Sequence, residues 1–244
     1  MKQLALALAV FAPALVLAQA DFDTQYSNIR VLQDRSVQNE LKVTEAQRQK
    51  LNRHATWHQG EIKKVEDAYR KANEGKSQPA PPPMDRIGAL EQQLRTRILR
   101  ELTATQRKRL REISLQIAGL PAVMDEGIAR RVGLSATQLK TIRDRFAANN
   151  RQAEKIQADA IAPIRKKYEN RKPKDQAEGE KLQADIRREM EAAGKRVQPR
   201  LAALQKDWLD LVNRTMTAAQ KKAWEGLLGR PFTPSQTPPP ARGR

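Results

Sequence analysis

The sequence predicts an all-α protein built from elongated helical hairpins. Three observations carry that expectation. Apolar residues recur in steps of three and four over long stretches, the period of a helix packed on a partner. No stretch of useful length alternates apolar and polar residues as a half-buried strand does. Ala, Leu, Lys, Arg, Glu and Gln dominate the 244 residues, while aromatic residues make up only 4%. That composition suits long amphipathic helices that bury seams between one another better than it suits a thick globular core.

The chain opens with "MKQLALALAVFAPALVLAQA", which reads as a removable leader. Lys2 is a short basic start, residues 4–17 are apolar, and Ala18 and Ala20 form the small-x-small cleavage pattern. Cleavage at Ala20/Asp21 predicts a soluble protein that is periplasmic or otherwise exported. The apolar run falls short of the roughly 20 residues a membrane span needs. Cleavage removes only Lys2 from a net charge of +18, so the mature chain stays strongly basic. With no cysteine, disulfides are excluded.

The first long helical pattern starts at Thr44 and carries Leu51, Ala55, His58, Ile62, Val65 and Tyr69 along one stripe. Clustered Gly and Pro in "NEGKSQPAPPP" (73–83) end it. Ile87, Leu90, Leu94 and Ile98 mark a second helix; Leu110, Ile113 and Ile117 mark a third, which stops at Gly119 and Pro121. A short helix over 124–131 ends at Gly133. Leu139, Ile142, Phe146, Ile156 and Ala160 then define a helix running to about residue 171, in which Pro163 predicts a kink or a split. "NRKPKDQ" (170–176) is the tip, and Leu182, Ile186, Met190, Leu204 and Trp208 line the return arm, with Pro199 a second expected kink. The organisation expected is a first half over 21–120, a second, longer half over 121–228, and a disordered Pro-rich tail over 229–244.

One five-residue pattern recurs four times: "VTEAQ" (43–47), "LTATQ" (102–106), "LSATQ" (134–138) and "MTAAQ" (216–220). Thr or Ser at a helix N-cap accepts from a free backbone N–H, and Gln three residues later reaches back to the N-cap N–H. Thr44/Gln47, Thr103/Gln106, Ser135/Gln138 and Thr217/Gln220 are therefore predicted capping boxes. Two details exceed capping. Glu would suit the helix dipole better, yet every copy uses Gln. The preceding apolar residues (Val43, Leu102, Leu134, Met216) should staple onto the fourth helical position, but those positions hold Arg48, Arg107, Leu139 and Lys221. Three of the four must pack elsewhere, which makes the motif a junction where two helix starts meet.

This motif, paired in an exported, helical, basic chain, resembles the signature of the Spy/CpxP-like family of periplasmic proteins. The resemblance covers the motifs and the helix plan over most of 41–228. Members usually carry two motifs and this chain carries four. Thr44 and Thr103 are 59 residues apart and Ser135 and Thr217 are 82 apart, so a tandem duplication with a longer second hairpin is the simplest account. The resemblance implies a thin, cradle-like bundle in two related halves, as a monomeric pseudo-dimer or a homodimer. It also implies an ATP-independent chaperone-like activity without cofactors.

A chaperone of that kind needs a basic surface that attracts acidic or unfolded chains, with small apolar patches for weak contacts. Two alternatives stay open. One is an envelope-stress or metal-responsive regulator, for which "HATWH" offers His54 and His58 one turn apart with Glu61 near the same face; zinc wants three or four protein ligands. The other is a structural protein on anionic lipid or surface polysaccharide. Specific nucleic-acid recognition is not expected despite a pI near 10.5, since no aromatic stacking platform is visible. Nor is an enzyme: no Cys nucleophile, glycine-rich phosphate loop or Ser–His–Asp arrangement is present.

Overall fold

The computed structural model describes residues 21–76 and 80–233, which are almost entirely helical with no strand among them. The leader and residues 234–244 of the tail lie outside the described residues. No described helix is long and apolar enough to cross a membrane. The chain divides into two units. The first takes in 21–118 and returns for 227–233; the second takes in 119–226.

In the first unit a helical segment over 21–26 precedes a 3-10 turn, Ile29–Gln33, and the short helix α1, Arg35–Glu40. Sequence periodicity passed over this region because such short elements complete no full apolar stripe. Local side chains start them instead: Asn28 accepts from Arg30 N–H, and Asp34 from Ser36 N–H. Helix α2, Glu45–Asn73, and α3, Met84–Glu101, then pack antiparallel. Their register is read from Arg97 stacked 4.0 Å over Trp57 near one end and the Tyr69 hydroxyl donating to Ala80 C=O (2.7 Å) at the other.

Helix α4, Ala104–Ala118, is the centre of this unit. Leu110 and Ile113 are fully buried, and Arg109, Arg111 and Glu112, unusually for charged residues, are buried beside them. A helix covered all round is normally apolar all round; here each buried charge has a partner instead. Val37, Leu41, Val43, Leu51, Ile98 and Leu102 join the same core.

The second unit opens with a 3-10 turn, Leu120–Met124, and α5, Glu126–Val132, capped by Asp125 and closed by Gly133 in the left-handed conformation (φ 83°). Helix α6, Ala136–Tyr168, and α7, Gln176–Thr215, form a long antiparallel pair, followed by α8, Ala218–Leu228. Along the seam, Trp208 donates its indole N–H to Ile142 C=O (3.2 Å) and meets Phe146 edge-on at 5.5 Å. Farther along, Asn149 Nδ2 donates to Leu204 C=O (2.8 Å).

Two expectations need correction. Pro163 does not split its helix: it lies inside continuous α6, as Pro199 lies inside continuous α7. A proline removes one backbone hydrogen bond, and a long helix packed on a partner along its length tolerates that loss. The tail expected to be disordered from residue 229 is instead held through Phe232, which packs against the first unit's core. Its capture depends on side chains of α4 more than a hundred residues earlier, a pairing no local composition encodes.

Candidate functional site

The four motifs meet in pairs, one pair per unit. In the first, Thr44 N–H donates to Gln47 Oε1 (3.1 Å) and Gln47 N–H donates to Thr44 Oγ1 (3.2 Å); Thr103 and Gln106 repeat this at 2.9 and 3.2 Å. The two glutamine side chains then bond reciprocally. Gln47 Nε2 donates to Gln106 Oε1 (2.9 Å), and Gln106 Nε2 donates to Gln47 Oε1 (3.0 Å). Each amide spends its second N–H on the backbone just ahead of the other motif, Gln47 on Glu101 C=O (2.7 Å) and Gln106 on Leu41 C=O (3.1 Å).

The second unit builds the same junction. Gln138 and Gln220 exchange amide hydrogen bonds at 3.1 and 2.9 Å while donating to Thr215 C=O (2.7 Å) and Gly133 C=O (2.6 Å). Ser135 and Thr217 N–H each donate to their own motif's Gln Oε1 at 2.9 Å. This explains the choice of Gln. A carboxylate accepts but cannot donate, so Glu would complete one cap and leave the partner amide and a backbone carbonyl unserved. The apolar residues ahead of the motifs pack under the junctions: Val43, Leu102 and Met216 are all buried.

The metal candidates separate. His54 Nε2 lies 3.2 Å from Glu101 Oε1, while Glu61 is paired with Lys64 at 2.8 Å. His58 faces a cleft of ≈ 680 Å³ between the Ile29–Gln33 turn, α2 and α3. Among the described residues no group of three His, Cys, Asp or Glu side chains is placed to hold a metal. Lys50 and then His54, each bonded to Glu101, hold that carboxyl below the usual carboxylate range. A depressed folded pKa gives stability that is present above the unfolded value and lost as pH falls through the folded one. Glu101→Gln should therefore flatten the acid limb of a Tm-against-pH curve, by less than about 1 kcal/mol for so exposed a pair.

The positive charge is not one uniform coat. Much of the arginine closes helix ends internally, where a cation suits the exposed carbonyls. Arg95 donates to the carbonyls of Thr24, Gln25 and Ser27, Arg107 to those of Leu99 and Leu102, and Arg143 to that of Met124. Burial lowers the Arg95 pKa from its ordinary value.

Met84 and Ile117 are exposed apolar side chains of the first unit; in the second unit, an open surface lies away from the junction, toward the far end of α6 and α7. There Ile161, Ile164, Tyr168, Ile186 and Met190 line an open furrow of ≈ 300 Å³ with Arg165 on its wall. Met190 is 39% exposed, an apolar side chain left without cover. Exposed Lys166 and Arg187 sit on the adjoining turns, and among the described residues neither they nor Arg165 make an ion pair. Of the nearby carboxylates, Glu169 shares the lining with Arg165, and Glu189 is held by Lys167 (2.6 Å) and the Tyr168 hydroxyl (2.8 Å), which lower its pKa. Sequence reading found the stripe but not which members stay open, because Trp208 belongs to the same stripe as the open Met190 and is buried. Compared with protein-family models, with curated proteins and with solved structures, the chain matches none of them significantly.

Proposed function

We propose that this protein is an exported, ATP-independent, chaperone-like binder of unfolded or acidic polypeptides, of the kind the Spy/CpxP-like resemblance implies, and not an enzyme. One observation carries the reading: the furrow of α6 and α7 is apolar along its floor, with Arg165 on its wall, exposed Lys166 and Arg187 on the adjoining turns, and Glu169 the one carboxylate in its lining. An excess of cations steers acidic chains over a distance, and a shallow apolar floor gives weak contacts that release without nucleotide. Some basic residues elsewhere are paired within their own helix, as in Lys63–Asp67, Lys140–Asp144 and Lys206–Asp210.

The test is suppression of aggregation of an unfolding client by residues 21–244, without nucleotide, at low and high salt, with lysozyme as a basic control. Suppression near stoichiometric ratios, weakened by salt and absent in the control, is the expected result. No suppression at any ratio overturns the reading. Met190→Asp places a carboxylate on the furrow floor and should weaken client binding about tenfold through lost apolar contact. Its Tm should barely change, because the side chain is already open to water.

A further inference from the structure

The chain ends its described course seated on α4 as an extended peptide would sit in a receptor. The last two carbonyls of α8, at Leu227 and Leu228, and the backbone of residues 230–232 beyond it are held by side chains of α4. Arg111 donates to Leu227 C=O, Gln116 Nε2 to Leu228 C=O (2.6 Å) and Arg230 C=O (2.8 Å), and Arg109 to Arg230 C=O (2.7 Å) and Pro231 C=O (3.4 Å). In return Phe232 N–H donates to Gln116 Oε1 (2.8 Å). Two side chains add to this: Phe232 packs on the core, and Arg230 pairs with Glu40 at 2.6 Å. The segment lies close, for Gly229 takes a left-handed φ of 63° and a Cβ there would strike the Glu112 carboxylate.

Recognition by carbonyls depends little on sequence; specificity is left to the aromatic pocket and the Glu40 carboxylate. That is how β-strand-adding receptors divide the work between main chain and side-chain pockets. We infer that this face of α4 is a receptor for extended polypeptide segments carrying a cation two residues before an aromatic side chain, occupied in cis by residues 229–232. The cis segment acts as a tethered competitor. A short tether gives an effective concentration in the millimolar range, so outside peptides enter only when it lifts. The inference concerns peptide binding by the first unit and does not depend on whether the second suppresses aggregation.

The experiment uses a chain ending at Gly229 and a fluorescein-labelled peptide of residues 229–236, followed by fluorescence anisotropy. The shortened chain is expected to bind the probe about a hundredfold more tightly than the full chain. It should lose that binding with Gln116→Ala, or with alanine in place of the probe's phenylalanine. Equal binding by the two chains, with the shortened one retaining its helical circular dichroism, overturns the inference. If the shortened chain does not fold, the full chain carrying Phe232→Ala takes its place, since that change loosens the anchor and keeps every backbone contact. It should bind the probe more tightly than the unaltered chain, and unchanged binding overturns the inference. A full-length dimer that disappears on shortening would assign the face to a second copy, and overturns it too.

Discussion

Gln106→Glu should lower stability by about 3 kcal/mol, although Glu at the third position of a helix is normally welcome. The cap itself survives, because the carboxylate still accepts from Thr103 N–H. The junction does not. Gln106 is buried, and its amide serves both Gln47 Oε1 and Leu41 C=O. A carboxylate there would face two acceptors, depriving Leu41 C=O of this donor, setting its charge against Gln47 Oε1 and leaving that charge poorly solvated. Repulsion and burial would raise the pKa of the new carboxyl, so the loss should be greatest at neutral pH and partly recovered in acid, where a protonated carboxyl donates once. Urea denaturation at two pH values checks this. By contrast Thr103→Ala removes only the hydroxyl cap and should cost about 1 kcal/mol at any pH. If Gln106→Glu matched Thr103→Ala at neutral pH, the reciprocal amide pair would have no energetic weight.

Arg111→Ala is expected to cost about 3–5 kcal/mol, the range for removing one partner of a buried ion pair. Arg111 is 2% exposed and donates to Asp23, itself 5% exposed, at 3.1 Å, while its other arm ties Leu227 C=O. Truncation takes the cationic partner of a buried carboxylate away and loosens the returning chain end together. Arg111→Ala with Asp23→Ala should be appreciably milder than Arg111→Ala alone, because nothing charged is left behind. A double-mutant cycle by thermal and urea unfolding measures the difference. Additive losses would mean that the pair carries no coupling and that Arg111 matters for packing alone.

How much of this was legible in the sequence differs between elements. Long helices were, since α2, α6 and α7 each carry many turns of one apolar stripe. The short helix α1 was not, because fewer than two turns give no periodic signal. The helix-start residues of the four motifs were legible through local chemistry, and the recurrence of Gln where Glu would cap equally well was the visible trace of something more. Arg109 and Arg111 were unreadable. In "RKRLREI" they look like the solvated face of a basic helix, and nothing nearby signals that the chain returns at residue 227 to bury them.

By itself, then, the sequence determined the helical class, the starts and stops of the long helices and the places where capping side chains close them. These follow from interactions within about four residues, which the order of residues states directly. Only the tertiary structure decided which motif meets which, why the meeting requires an amide, which arginines are buried and which apolar side chains stay open. Those outcomes depend on partners far apart in the chain, up to 122 residues. Whether a polar side chain is a solvated charge or a buried tie rests on what the rest of the chain brings to it.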